Sequence, residues 1–191
     1  KSGLKKAIKI NDNEALLSTI RGIFLLNVSE NKYYKLNFPQ ERVGNITKIS
    51  DTQFYVLSVS GLYFYDLKKN QYRKIFEKYN LDESAFDGSY LFVTPLKNEI
   101  YVFKNGKFLQ IISNEEKLPE NIGKLKIINH QLWITGKSGI YKLKYVEKNG
   151  KLNFTYQNIN VSDGLASNVV NDLAETQNNV YAATDNGISI I

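Results

Sequence analysis

The last thirty-one residues of the chain, 161–191, read VSDGLASNVVNDLAETQNNVYAATDNGISII. Within this stretch, residues 180–188 form a unit in which an apolar run is followed by a polar pair, a glycine and an aliphatic residue. A glycine behind a polar pair favours a hairpin turn, because glycine adopts positive φ without steric cost. The unit is therefore interpreted as two antiparallel strands joined by a tight turn.

The same unit recurs along the whole chain. The other copies lie at 15–23, 54–62, 91–100 and 132–140. Their closing aliphatic residues, Ile23, Leu62, Ile100, Ile140 and Ile188, are 39, 38, 40 and 48 residues apart. This spacing matches a four-stranded β-propeller blade, whose repeat is about 40–50 residues long. The sequence therefore predicts an all-β propeller with about five antiparallel blades.

Each blade is predicted to contain strands A to D. Polar turns join A to B, the glycine turn joins B to C, and Asn-rich turns join C to D. In two blades the C–D turn contains Asn-Gly, a strong hairpin signal, at Asn105-Gly106 and Asn149-Gly150. The predicted blades span 4–38, 46–76, 84–112, 124–160 and 169–191.

The fifth predicted blade stops after strand C and carries an exposed aliphatic edge at Ile188, Ile190 and Ile191. Closed propellers avoid such edges, which attract other strands. Residues 1–191 are therefore expected to be a fragment of a larger propeller of about seven blades. The expected partners are further blades of the same polypeptide, or a second copy in a homodimer.

Blade three is expected to be the least regular. In its copy of the unit, Glu99 stands at the position of the turn glycine, and Pro95 removes a backbone donor near the end of strand B.

The repeats resemble those of the two-component-regulator propeller family. The match is closest in the last copy, at Asp163-Gly164-Leu165, Ser167-Asn168, Val170, Thr184, Gly187 and Ile188. Earlier copies keep the signature residues Gly22, Gly61, Trp133 and Gly139. Tyr181 and Ala183 depart from the family pattern, which has tryptophan and glycine there. Thr135 and Gly136 are transposed relative to the family's Gly-Thr, which predicts different hydrogen bonding at that turn.

The resemblance implies an extracytoplasmic sensor segment of a bacterial hybrid two-component system, located in the periplasm or at the cell surface. Members of that family commonly respond to oligosaccharides, so the implied role is ligand sensing without turnover. An interaction scaffold of a cell-surface or secretion-system accessory protein is the alternative. A propeller glycosidase is a third reading, and the short chain leaves little room for the long loops that it needs.

Ligand contacts are expected on the end of the blades that carries the B–C turns and the longer D–A links, because long loops usually carry function. The candidate residues are Arg21, Lys97, Lys137, Asp163, Asn168 and Asp185.

Other chemistry is poorly supported. His130 is the only histidine, so a Ser-His-Asp triad or a His-rich metal site is excluded, and the residue is interpreted as part of a turn. Asp51, Asp87 and Asp172 are the candidate carboxylates of the inner strands, and two of them resemble turn formers. Trp133 is interpreted as packing between blades rather than as a ligand platform. No catalytic site, metal or cofactor is predicted.

Composition excludes further classes. The net charge of +6 comes largely from lysines that alternate with apolar residues, which indicates solvent-exposed faces of half-buried strands rather than a nucleic-acid surface. The sequence contains no apolar run long enough to span a membrane and no signal peptide. Nucleic acid and membrane contact are therefore not expected of this segment.

Overall fold

A computed structural model describes residues 3–95, 98–113, 118–119 and 121–191. These residues contain nineteen β-strands: β1 Leu4–Lys9, β2 Glu14–Thr19, β3 Gly22–Asn27, β4 Lys32–Lys35, β5 Val43–Lys48, β6 Gln53–Ser58, β7 Gly61–Asp66, β8 Gln71–Phe76, β9 Leu81–Phe86, β10 Tyr90–Pro95, β11 Ile100–Lys104, β12 Lys107–Ile112, β13 Leu125–Ile128, β14 Gln131–Gly136, β15 Gly139–Lys148, β16 Lys151–Ile159, β17 Val170–Glu175, β18 Val180–Thr184 and β19 Gly187–Ile190.

The strands form five antiparallel sheets in chain order. Four sheets have four strands, β1–β4, β5–β8, β9–β12 and β13–β16, and the last has the three strands β17–β19. The predicted all-β, five-blade propeller fold is confirmed. Strand A of blade two begins at Val43 rather than at the expected Ile46, because a bulge between Val43 and Asn45 lets it keep pairing with Ser58.

The chain divides into two compact units, Lys1–Gly88 and Ser89–Ile191. In each unit apolar side chains from neighbouring sheets form a buried cluster, as the alternation of apolar residues along the strands requires. The cluster of the first unit contains Leu16, Ile23, Phe38, Val43, Ile46, Phe54, Val56, Tyr63 and Tyr65. The cluster of the second unit contains Ile128, Trp133, Ile140, Ile159, Leu165, Val170, Leu173, Val180 and Ala182.

The glycine after each two-residue B–C turn has positive φ, for example +147° at Gly61 and +102° at Gly139. At Gly61 and Gly139 the glycine is also crowded by the end of strand D. A Cβ atom would lie 2.3 Å from the carbonyl oxygen of Phe76 at Gly61, and 2.2 Å from that of Ile159 at Gly139. Glycine is therefore required twice, for the turn conformation and for the close passage of strand D.

The polar turns use asparagine in the left-handed conformation, as the Asn-rich C–D segments predict. Asn31, Asn70, Asn105 and Asn149 have φ between 49° and 55°. His130 is a turn residue. It lies with Asn129 in an A–B connection, between the paired residues Ile128 and Gln131, and its φ is 56°.

Blade three differs from the others in its B–C connection. The two-residue turn is replaced by 96–99, of which Leu96 and Lys97 lie outside the described residues. The register of its strands β11 and β12 also shifts between Val102 and Phe103. Without the turn glycine, strands B and C are joined by a longer connection.

The transposition of Thr135 and Gly136 changes the hydrogen bonding as predicted. Where the last residue of strand B is Thr19, Ser58 or Thr184, its hydroxyl bonds to the carbonyl oxygen of the turn glycine. In blade four Gly136 holds that position, and the Thr135 hydroxyl instead accepts the backbone N–H of Lys124 at 2.8 Å. Thr135 thus fixes the link that leads into blade four.

The outer hairpin of blade four, β15 and β16, is longer than any other, with strands of 10 and 9 residues. Its tip packs on blade three. The Tyr145 ring lies 5.1 Å from that of Phe92, the Lys104 ammonium pairs with Glu147 at 2.5 Å, and the Gln110 amide bonds to both the N–H and the C=O of Leu152. We call this hairpin, Gly139–Ile159, the long hairpin.

Candidate functional site

The predicted ligand residues lie on B–C turns and on one D–A link. Arg21, Lys137 and Asp185 are exposed in the B–C turns of blades one, four and five, and Lys97 lies outside the described residues. Asp163 and Asn168 are exposed in the link between blades four and five. In the second unit, the B–C turns of blades four and five and the link between these blades therefore carry four of the six predicted residues: Lys137, Asp163, Asn168 and Asp185.

In the D–A link between blades four and five, the polar side chains form hydrogen bonds within the link itself. Asn160 caps a short 3₁₀ helix, Val161–Asp163, and the Asp163 carboxylate accepts the backbone N–H of Asn160 at 3.0 Å. The Asn168 side chain accepts the N–H of Val161 at 2.8 Å. Gly164 ends the helix with φ of 104°. Asp163, Gly164 and Asn168 of the repeat signature therefore order this loop.

Two of the three candidate carboxylates, Asp51 and Asp172, have a lowered pKa. Burial raises the pKa of Asp172, but hydrogen bonds from the Lys126 ammonium at 3.0 Å and from the N–H of Leu173 outweigh it and hold the pKa below its usual range. The exposed Asp51 carboxylate has a pKa lowered by its hydrogen bond to Lys48 at 2.8 Å. A general acid needs the opposite shift. Asp87 is half-buried at the end of strand A of blade three.

In the first unit, side-chain hydrogen bonds connect polar residues of the first strands of blades one, two and three. The Lys6 ammonium donates to the Asn45 side-chain oxygen at 2.6 Å, and the Asn45 amide donates to Glu83 at 2.7 Å. Asn45 is only 2% exposed, so these bonds satisfy a buried amide. Lys6, Asn45 and Glu83 thus join strands β1, β5 and β9.

A polar cleft lies between blades four and five. It has a volume of about 230 Å³ and is lined by Asn129, Trp133, Lys142, Ile191 and residues 175–180. The last stretch, Glu175–Val180, contains the A–B turn of blade five with its side-chain amides of Gln177, Asn178 and Asn179. The cleft therefore combines amides, one cation and one carboxylate around an indole.

Trp133 forms the apolar floor of this cleft. It is 4% exposed and belongs to the buried cluster of the second unit, and the Lys142 ammonium lies 4.6 Å from the centre of its ring. The tryptophan is thus mainly a packing residue, as the sequence indicates, and it also lines a concave surface.

A second hollow of about 150 Å³ lies on the other side of Lys142, lined by Gln131, Lys142, Lys144, Thr155, Tyr156 and Gln157. Trp133 and Gln131 lie two residues apart on one face of β14. Within the described part of the chain, the Nε1 atom of Trp133 and the Oε1 atom of Gln131 are buried without a hydrogen-bond partner. Trp133 lines the cleft and Gln131 lines the second hollow, so the two atoms belong to different concave surfaces.

The predicted ligand contacts on the B–C turns and D–A links stay a prediction, and the cleft lies at the opposite end of the blades, beside A–B turns. The A–B connection 176–179 is as long as those of blades one and two, 10–13 and 49–52, so its length does not indicate the cleft. Trp133 and Lys142 face residues 176–179 because blades four and five pack together, and the repeat pattern does not specify this packing.

The structure is similar to known propellers over nearly its whole length. The extracellular domain of the hybrid two-component system BT4673 from B. thetaiotaomicron has a TM-score of 0.74 and 16% identity, with 99% of this chain and 26% of that chain covered. The extracellular domain of the hybrid two-component system BT3049 from the same organism gives 0.69 and 17%, with 98% and 26% covered. BamB from Moraxella catarrhalis gives 0.68 and 15%, with 98% and 56% covered.

These likenesses establish the fold. The chain is a β-propeller. It spans about a quarter of the length of the two B. thetaiotaomicron domains. No protein-family model and no curated protein sequence matches the chain. Among the described residues, no helix has the length and apolar character needed to cross a bilayer.

Proposed function

We propose that this propeller is the ligand-sensing segment of an extracytoplasmic receptor and that it binds a neutral oligosaccharide, without turnover, in the cleft over Trp133. Its similarity to extracellular domains of hybrid two-component systems supports the receptor role, and so does the resemblance of its repeats. A location in the periplasm or at the cell surface belongs to the same proposal.

The observation that carries the proposal is the cleft itself, in which the side-chain amides of Asn129, Gln177, Asn178 and Asn179 surround the indole of Trp133. A side-chain amide both donates and accepts hydrogen bonds, and so does a hydroxyl group. A sugar presents several hydroxyls together with an apolar ring face. Such a ligand would hydrogen-bond to the amides and lie along the cleft that Trp133 and Lys142 line.

The charges of the cleft favour a neutral ligand. Lys142 and Glu175 contribute one cation and one carboxylate to its wall, and the remaining polar groups are amides and one hydroxyl. An anionic or cationic ligand would place one of these two charges beside a like charge. Polyhydroxylated neutral ligands avoid this repulsion.

Absence of turnover is proposed from the state of the inner carboxylates. Glycoside hydrolysis uses a pair of acids of which one has a raised pKa. Asp172, which lies on strand β17 together with the cleft residue Glu175, has a lowered pKa and is paired with Lys126. We therefore expect a bound oligosaccharide to be recovered intact.

Trp133 is the only tryptophan, so its fluorescence reports on the cleft directly. We expect titration with a panel of neutral oligosaccharides to include one that shifts the emission, and Gln177→Ala to weaken that ligand by about fivefold, the loss of one hydrogen bond of about 1 kcal/mol. Chromatography of the ligand after incubation should show no cleavage.

The matched control is Lys137→Ala in the B–C turn of blade four, which should leave the affinity unchanged. If Lys137→Ala or Asp185→Ala weakens binding while the Trp133 emission stays constant, the ligand binds the turn end of the blades instead. Failure of every oligosaccharide to bind by calorimetry would refute the proposed ligand class, and release of smaller sugars would refute the sensor role.

A second candidate, a protein-interaction scaffold, is favoured by one observation. Ile188 and Ile190 of strand β19 are 73% and 66% exposed at a sheet edge. Large exposed aliphatic residues on an edge strand are typical of surfaces that pair with another polypeptide. Further blades of a longer polypeptide or a second copy of the chain would use this same edge.

A further inference from the structure

The C–D turns of blades three and four have the same sequence, K-N-G-K, at 104–107 and 148–151. The asparagine and the glycine have φ of 52° and 70° in the first turn, and of 55° and 74° in the second. Positive φ at both central residues is the conformation of a type I′ hairpin turn, whose flanking residues lie directly opposite each other. Each turn is therefore closed by two lysines, Lys104 with Lys107 and Lys148 with Lys151.

A pair of lysines at this position is unfavourable for the hairpin, because like charges directly opposite each other repel. The corresponding turns of blades one and two have no such pair, since they are closed by Asn27–Lys32 and Asp66–Gln71. Within the described residues, Lys107, Lys148 and Lys151 form no ion pair. The alternation of lysines along strands does not explain them either, because they lie at turns. A repulsive pair that recurs in two neighbouring blades indicates a role outside hairpin stability.

The long hairpin brings its own turn to the turn of blade three. The Lys104 ammonium lies 2.5 Å from the carboxylate of Glu147, the residue before Lys148. The Tyr90 hydroxyl donates to the same carboxylate at 2.5 Å. The hydrogen bonds from Lys104 and Tyr90 hold the pKa of Glu147 below its usual range, so the carboxylate is charged. Four ammonium groups and one carboxylate thus meet in one region, which gives it a net charge of +3.

Exposed apolar side chains lie beside both turns. Val146 is 66% exposed, two residues before Lys148 and on the same face of its strand. Phe108 is 47% exposed and follows Lys107. Apolar side chains beside ammonium groups suit the interface of a bilayer, where the apolar groups enter the boundary of the acyl chains and the cations stay among the head groups. A soluble polyanion has no apolar layer to receive them.

From these observations we propose that the two K-N-G-K turns form a docking surface for an anionic phospholipid membrane. The lysines bind the phosphates of the head groups, and Val146 and Phe108 enter the head-group layer. This contact is peripheral, so it needs no apolar run that crosses the bilayer. It departs from the expectation that the segment makes no membrane contact.

Co-sedimentation with vesicles tests the proposal. We expect the 191-residue protein to bind vesicles of phosphatidylglycerol mixed with phosphatidylcholine, and not vesicles of phosphatidylcholine alone. One lysine near an anionic surface contributes about fivefold to the binding constant, so Lys148→Gln combined with Lys151→Gln should weaken binding by about 25-fold. Binding should disappear at about 1 M salt, where the Debye length is about 3 Å. Val146→Ser should weaken binding by about fivefold through loss of apolar contact.

Lys148→Arg combined with Lys151→Arg is the matched control, because it keeps both charges in place, and it should bind like the original protein. Lys137→Gln removes one positive charge from the B–C turn at the other end of blade four and should leave binding unchanged. Glu147→Gln removes the one carboxylate of the surface and should strengthen binding by about fivefold. Gln177→Ala in the cleft should have no effect, so failure of oligosaccharide binding and failure of membrane docking are distinguishable.

Three results would overturn the proposal. One is no binding to the mixed vesicles, and another is binding that Lys148→Gln with Lys151→Gln does not weaken. The third is retention on dextran sulfate that this double substitution abolishes, without any binding to vesicles, because an anionic polysaccharide would then be the partner.

Discussion

Blades four and five carry the same B–C unit and pack on one another, yet they treat its aliphatic residue in opposite ways. Ile140 is fully buried and Ile188 is 73% exposed. Ile140 contacts a cluster that includes Ile159 of strand D and Leu165 of the following link. In the described residues, blade five has no strand D and no following link. The repeat unit thus supplies an apolar residue, and the elements that follow it supply the burial.

The largest difference is expected from truncating that residue in each blade. Ile140→Ala removes a fully buried side chain and should lower the free energy of unfolding by about 2–5 kcal/mol. Ile188→Ala should change it by less than about 0.5 kcal/mol. Urea denaturation of both variants measures the two effects, and equal losses would mean that Ile188 is buried in solution.

Alanine substitutions at the turn glycines Gly139 and Gly187 give a second comparison of blades four and five. Both have positive φ, so alanine should cost about 1–3 kcal/mol of strain at Gly187. At Gly139 the added Cβ would also lie 2.2 Å from the Ile159 carbonyl oxygen, so the loss should be larger by about 2 kcal/mol. Urea midpoints that fall equally for Gly139→Ala and Gly187→Ala would contradict the role of strand D.

The turn hydroxyls should differ less. Thr135→Val removes a buried bond to the N–H of Lys124 and should cost about 1–2 kcal/mol. Thr184→Val removes a bond to Gly187 at the edge of blade five and should cost about 0.5–1 kcal/mol, since water can replace it. Thermal unfolding of the two variants, with Thr155→Val at an exposed position of strand β16 as the control, ranks them.

The smallest effect concerns the ion pair that joins the two blades. The lowered pKa of Asp172 means that its contribution is present above the usual aspartate range and is lost as the pH falls through the lowered value. With half of the carboxylate exposed, we expect a loss of no more than about 0.5 kcal/mol between pH 6 and pH 2. Asp172→Asn should abolish this part of the acid dependence, and identical acid profiles would show that the pair is too well solvated to matter.

Much of the fold follows from local sequence. Each turn glycine and each left-handed asparagine is a local requirement of the backbone, so Gly61 or Asn149 can be interpreted without knowing the rest of the molecule. The altered bonding at Thr135 could be predicted for the same reason, because the transposition changes which residue closes the turn.

The cleft and the long hairpin could not be predicted, because they depend on contacts between blades. Nothing local in Trp133 or Gln131 indicates that their polar atoms lack partners, and the pairing of Gln110 with Leu152 joins residues 42 positions apart. The D–A link was expected to bind ligand, but local sequence did not show that Asp163 and Asn168 are used to hold the loop itself.

The long hairpin also sets an order of events during synthesis. Blade three is complete as a sheet at Ile112, but the bonds of Gln110 and the partner of Lys104 come from Leu152 and Glu147. While the ribosome translates the intervening forty or so codons, the outer strand of blade three has no cover from blade four. The cover of this strand is therefore complete only after residues up to 152 have been added and the long hairpin has folded.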